Sequence, residues 1–332
     1  MACFINKIAI HLPENILTND QLSSLFPEWK SDSILEKIGI RQRHFVSDNE
    51  TALDLAVSAG GKVLTGFDRN LIDFVILCTQ SPDYYLPTSA CIIQDKLSLR
   101  TNIGAFDLNL GCSGFIYGLA VSKGLIQINL AKNVLLILSE TYTKHIHPKD
   151  KSNRSIFGDG AAAVIISQCD KEKIFDFELG TDGKGKDNLI VPNGGLRNKY
   201  NPQDQDYKDE NNNLRNNNCI YMNGPEIFDF TIDRIPALID KTLEKNNTTL
   251  DKIDYVIFHQ ANKYMLDYLR KRLNIPQEKF YQNMEETGNT VSATIPIALK
   301  HSNENGYIKE GDKVLLAGFG VGYSWGAVII EI

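Results

Sequence analysis

Blocks of consecutive Val, Ile and Leu recur along the chain between polar turns: IDFVILCTQ from Ile72, VLLI from Val134 and AVII from Ala163, then IDYVIFHQA from Ile253, VLLA from Val314 and AVII from Ala327. Runs that are apolar at successive positions predict strands buried on both faces, as in parallel sheets covered by helices. The first two pairs lie 181 and 180 residues apart, and each AVII follows a Gly-containing turn, GDGA and SWGA. Each half also holds a strand, a sharp turn and an apolar helix, AFDLNLGCSGFIYGLAVSKG from Ala105 and KFYQNMEETGNTVSATIPIAL from Lys279, with Gly111 and Gly288 offset by 177.

Strands alternating with helices in one order, used twice, predict an α/β fold made of two duplicated βαβ-type halves, residues 1–170 and 171–332. Val/Ile-rich strands resemble one another in most α/β proteins, but chance similarity does not preserve both order and offset. Stacking the halves buries the two apolar helices between the sheets. This accounts for a helix after Cys112 whose one charge is Lys123 and whose Gly114 and Gly118 permit close backbone approach. Residues 198–218 (NKYNPQDQDYKDENNNLRNNN) are almost devoid of aliphatics and read as an exposed loop insertion.

Composition changes this picture little. The 332 residues are 42% hydrophobic and 23% charged, which excludes collagen-like, coiled-coil and wholly disordered chains. A net charge of −6 provides no global field for nucleic acid or an anionic membrane. Six Cys, at 3, 78, 91, 112, 169 and 219, form no CxxC pair and read as free thiols in a reducing compartment. No apolar run approaches the roughly 18 residues of a membrane span, and the N-terminal stretch lacks the pattern of a secretory leader, so the expected location is the cytoplasm.

Three residues stand where chemistry is expected. Cys112, in LGCSGF, falls between a strand and a helix start, where unpaired N–H groups favour a thiolate; the alternative is a small buried thiol filling space beside glycines. His259 ends a strand, the edge at which open α/β sheets carry their sites, although a buried histidine is often satisfied by backbone alone. Asn289 is the counterpart of Cys112 in the second half, fit both to cap a helix and to share a pocket with Cys112 if the helix N-termini converge. His145 and His147 flank one residue without completing a metal set, and GDGAAA and GFGVGYSWG match neither nucleotide-binding glycine pattern.

Together GIRQRH (Gly39–His44), LPTSACIIQ, DLNLGCSGF, IFGDGAAA, FHQAN, GNT and FGVGYSWG carry a resemblance that runs nearly end to end. The chain resembles the β-ketoacyl-acyl-carrier-protein synthase III family of thiolase-fold condensing enzymes. The resemblance implies a five-layered α-β-α-β-α fold and a homodimer. It also implies an acyl group loaded from an acyl thioester onto Cys112, then condensed with a malonyl thioester, on an acyl carrier protein, by a decarboxylative Claisen reaction. His259 and Asn289 then handle the malonyl substrate, and the backbone N–H groups of Cys112 and Val321 form an oxyanion hole. The donor is carried by coenzyme A or a carrier protein, and no cofactor or metal is implied. Leu86 reaches the partner subunit's acyl pocket, Lys37, Lys151 and Asn262 contact substrate, and Lys263, Arg270, Lys271 and Arg272 offer a basic face to the carrier.

Departures from the family pattern bear on the substrate. Ser33 stands where a Trp stacks on the coenzyme A adenine, Pro225 where an Asn touches the pantetheine arm, Asp229 where a Lys meets the carrier, Tyr264 where an Arg is usual, and Val321 replaces a glycine. Two other readings stay open: acyl transfer from Cys112 to an amine or hydroxyl, as on an amino sugar, without decarboxylation, and a non-catalytic carrier-binding protein.

Overall fold

The structure, a computed structural model, describes residues 1–209 and 212–332. Its frame is two mixed sheets. The first contains β1 (Ala2–His11), β2 (Phe74–Cys78), β3 (Gly104–Leu108), β4 (Asn133–Glu140) and β5 (Gly160–Cys169) in the order β1-β5-β4-β2-β3. The second contains β6 (Ile174–Thr181), β7 (Tyr255–Phe258), β8 (Lys313–Gly320) and β9 (Ser324–Glu331) in the order β7-β8-β9-β6. Taken from the β6 end, the second order runs parallel to the first: β6, β9, β8, β7 match β1, β5, β4, β2, with two antiparallel pairings and then a parallel one in both. The fifth place, held by β3 in the first sheet, shrinks in the second to one parallel bridge between Val256 and Phe280. We propose the division at residues 170/171, between β5 and β6, as the boundary of the halves.

The layers are completed by helices α1 (Ser31–Ile38), α2 (Ala52–Val63), α3 (Ser89–Lys96), α4 (Gly114–Gln127), α5 (Lys151–Ile156), α6 (Gly224–Lys245), α7 (Lys263–Arg272) and α8 (Thr294–Glu304), with a further short helix over Asn19–Leu25. Helices α2 and α3 cover the outer face of the first sheet, α6 with α7 the outer face of the second, and α4 and α8 lie between them. The result is the five-layered α-β-α-β-α arrangement. Its central core joins Phe115, Ile116 and Leu119 of α4 and Ile295 of α8 to Ile76 and Leu136 of one sheet and Ile257 and Leu316 of the other. Each such side chain contributes about 1.5–3 kcal/mol by leaving water. A Cβ on Gly118 would come within 2.7 Å of Leu136 Cδ1, the close approach that the glycine permits. The charge of Lys123 is met by Glu172 at 3.1 Å and by the Phe175 carbonyl at 3.1 Å.

The polar stretch 198–218 departs from expectation. Part of it is exposed, but Asn213 and Arg215 are buried, and a short hairpin pairs Tyr207–Lys208 with Leu214–Arg215. Arg215 pairs with Asp150, just before α5, and with Asp209 at 2.9 Å, while Asn213 accepts from Ser152 Oγ at 2.9 Å. The segment is held by side-chain polar bonds, which require no aliphatic pattern.

Candidate active site

Where β3 ends, residues 109–113 turn the chain into α4, and Cys112 lies buried in that turn. The backbone N–H groups of Val321 and of Cys112 itself act on its sulfur, each favouring the thiolate. Gly320, at the end of β8, leaves the space for this: a Cβ there would lie 2.7 Å from Cys112 Sγ. Burial pushes the thiol up to about 12, and the two N–H groups pull the other way without prevailing. The expectation of a lowered pKa at a helix start is thereby corrected, because the loss of water outweighs the local donors. Cys112 rests as a thiol.

His259 follows β7, its backbone N–H bonded to the Ala317 carbonyl at 2.8 Å and its ring set edge-on against Phe319, with centroids 6.1 Å apart. Burial lowers its pKa to about 3, so the imidazole is neutral at physiological pH. Nδ1 lies 2.7 Å from Thr294 Oγ1, which is also 3.1 Å from the Val291 carbonyl oxygen. The single hydroxyl proton serves one acceptor at a time. Given to Nδ1, it leaves the ring proton on Nε2; given to Val291, it lets Nδ1–H donate to Thr294.

Asn289 is fixed from three sides. Its N–H donates to the Ile156 carbonyl at 2.9 Å, its carbonyl accepts from Gly158 N–H at 3.0 Å, and its Oδ1 accepts from Val291 N–H at 2.9 Å. The Asn289 side chain thus closes a local turn on Val291 and is not the N-cap expected, since Thr290 and Ala293 hold the cap positions of the helices that follow; the amide NH2 is the remaining donor end. Val291, a β-branched residue at φ 55°, is in the left-handed region that such residues rarely occupy. This strained turn connects two of the candidates, since Val291 binds Asn289 and its carbonyl is within reach of Thr294 and His259. Phe319, against His259, directly precedes the Gly320 that abuts Cys112. Cys112, His259 and Asn289 are thus linked through intervening neighbours, Val291, Thr294, Phe319 and Gly320.

The family described as 3-oxoacyl-[acyl-carrier-protein (ACP)] synthase III matches residues 106–183, and its C-terminal part matches residues 243–332. The β-ketoacyl-[acyl-carrier-protein] synthase III of Clostridium perfringens is 39% identical over 326 residues, 97% of each chain, and that of Clostridioides difficile is 36% identical over 329 residues, 98% of this chain and 96% of the relative. This chain belongs to the β-ketoacyl-acyl-carrier-protein synthase III family. A crystal structure of a 3-oxoacyl-(acyl-carrier-protein) synthase III superposes with a TM-score of 0.98 at 44% identity over all of both chains. A synthase of Burkholderia xenovorans superposes at 0.92 and 32% identity, over 100% of this chain and 94% of that one. The thiolase-like fold and the class of activity, acyl transfer by a condensing enzyme, agree with the resemblance read from the motifs.

The outer residues of this synthase III chain are distributed unevenly. A groove of about 800 Å³ gathers Lys37, Asn262, Lys263 and Lys271 with Tyr264 and Tyr268. Asn262 caps α7, its Oδ1 accepting from Met265 N–H at 2.9 Å. Gly39, of the GIRQRH motif, packs directly on α7: a Cβ there would lie 2.5 Å from Lys263 Cβ. Arg270 turns away to donate to the Ile275 carbonyl at 3.1 Å, and Arg272 is exposed outside the groove lining. Lys151 is paired with Glu28 at 3.0 Å and stands 5.9 Å above the ring of Trp29. An aromatic side chain, Trp29, four residues before Ser33, thus lies beside Lys151. Leu86, in a loop with Tyr84 and Tyr85, is 82% exposed. Thr294 and Glu140 went unrecognised in the sequence. Among the described residues, no three His, Cys, Asp or Glu gather to hold a metal.

Proposed function

We propose that this chain loads an acyl group onto Cys112 and joins it to a malonyl thioester on acyl carrier protein, releasing CO2 and a 3-oxoacyl product. The observation that carries this reading is that the Val321 and Cys112 N–H groups favour negative charge at the Cys112 sulfur, while His259 is neutral and buried. As the sulfur attacks the acyl thioester, the carbonyl oxygen takes the place between these donors, and the thiol proton leaves with the departing thiol. Because no imidazolium stands by, proton loss accompanies attack instead of preceding it.

In the second step the malonyl carboxylate leaves as CO2, and its bonding pair forms an enolate. His259 Nε2–H and the Asn289 amide donate to the enolate oxygen; this needs Thr294 to give its proton to Nδ1. The enolate carbon attacks the acyl group, the Cys112 thiolate leaves, and a proton from solvent restores the thiol. Two neutral donors suit a developing negative charge whose precursor must still enter.

The groove holding Lys37, Asn262, Lys263 and Lys271 is the proposed approach of the carrier arm, with Arg272 and, less directly, Arg270 extending the basic face. Trp29 and Lys151 are the proposed contact for a coenzyme A adenine. The exposed Leu86 loop is the proposed contact with a second subunit, and six free cysteines support a reducing cytoplasm. The test is intact-mass detection of acyl enzyme with acyl thioesters, followed by labelled CO2 release from malonyl carrier. Loss of the adduct in Cys112→Ala, and of CO2 release in His259→Ala and Asn289→Ala, is the expected result. An adduct that persists in Cys112→Ala overturns the assignment.

A further inference from the structure

Beneath the Cys112 turn lies a buried carboxyl that the steps above do not use. Glu140 ends β4 with no exposed surface; its Oε2 accepts from Gln80 N–H at 3.0 Å, and its Oε1 is 2.9 Å from Ser292 Oγ. Gln80, just after β2, accepts from Tyr142 O–H at 2.5 Å, and a Cβ on Gly111, adjacent to Cys112, would lie 2.6 Å from the same Gln80 oxygen. Gln80 is therefore the wall behind the turn that presents Cys112. Ser292 follows the strained Val291 in the turn that carries Asn289 and leads to Thr294. One carboxyl thus ties the wall behind Cys112, from the first half, to the turn that holds Asn289 and His259, from the second.

We propose that Glu140 is a positioning residue, a strut that sets the separation between the Cys112 turn and the Asn289 turn. This rests on the reading of Cys112, His259 and Asn289 as the reacting centre. Burial raises the Glu140 carboxyl to about 8, so at neutral pH it keeps its proton while accepting from Gln80 N–H and from Ser292 Oγ. The titratable groups around it are Cys78 from β2, Cys112 before α4, Tyr142 after β4 and Asp159 before β5, all acids. Ionisation of Glu140 sets a negative charge near a centre that must itself become anionic. Activity is therefore expected to decline above about pH 8, as this group ionises.

The test uses Glu140→Gln and Glu140→Ala, read by melting temperature, intact-mass acylation, and condensation rates from pH 6 to 9.5. In Glu140→Ala, condensation kcat is expected to fall roughly 10- to 100-fold with little change in KM for the malonyl donor, while acyl enzyme still reaches full occupancy. Glu140→Gln keeps the shape and cannot ionise, so it is expected to hold most of the neutral-pH rate and to lose the alkaline decline. Where Glu140→Ala does not fold, the Glu140→Gln profile decides. Wild-type turnover in folded Glu140→Ala, or an unchanged alkaline decline in Glu140→Gln, overturns the proposal. Product formation by Cys112→Ala overturns the reading of the site beneath it, a separate and distinguishable failure.

Discussion

Gly320→Ala adds one methyl group at the most sensitive point of the site. Its Cβ would lie 2.7 Å from Cys112 Sγ and 2.9 Å from Cys112 Cβ, whereas non-bonded heavy atoms settle near 3.5–4.0 Å. The sulfur must therefore yield by about 0.8–1.3 Å, away from the N–H groups of Val321 and Cys112. A displacement of that size costs a positioned nucleophile roughly 10- to 100-fold in rate. Overpacking should cost about 1–3 kcal/mol in stability as well. Gly118→Ala is the control: its Cβ presses on Leu136 Cδ1 at 2.7 Å, in the central core between the sheets and away from the sulfur. The assay is a time course of acyl-enzyme formation by intact mass, with urea midpoints for all three proteins. Gly320→Ala should lose both rate and stability, and Gly118→Ala stability alone. A Gly320→Ala protein that acylates at the wild-type rate would refute the assignment of these N–H groups, because no other route lets the sulfur move without cost.

Three further outcomes follow. Because His259 titrates near 3 when folded, against an ordinary histidine value of 6.5, its contribution is present above pH 6.5 and is lost as pH falls through 3; urea midpoints between pH 7 and 5 should reveal up to about 1.4 kcal/mol per pH unit below 6.5, a slope that His259→Gln lacks. Thr294→Val removes the partner of His259 Nδ1, so CO2 release should slow about tenfold while acylation persists, and Thr294→Ser should restore it; equal rates in Thr294→Val would remove Thr294 from the mechanism. Arg215→Leu strands the buried Asp150, which should cost about 3–5 kcal/mol in a chemical melt, and an unchanged midpoint would show that the polar segment is not anchored there.

The repeated order of strands was legible because buried strands show as unbroken aliphatic blocks, and Cys112, His259 and Asn289 because they interrupt such blocks at strand ends or helix starts. Trp29 was not, because only the folded path around α1 brings this aromatic beneath Lys151. Glu140 was hidden by its position: a polar residue ending NVLLILSE looks like a strand leaving the core, yet its carboxyl is inside. The docking of Asn213 and Arg215 escaped notice because hydrophobic patterning is blind to segments held by polar side chains. The Cys112 pKa was misjudged because a helix start is visible in sequence and the depth of burial is not.

At rest the three candidate side chains at the reacting centre, a thiol, an unprotonated imidazole and an amide, carry no formal charge. The cations lie instead at the rim, where Lys37, Lys263 and Lys271 face water beside Glu36 and Asp267. On the proposed reading, ionic strength acts on the two parts of catalysis unequally: salt screens the capture of an anionic carrier at the groove, while the bond-making step, shielded inside the fold, is expected to keep its pace.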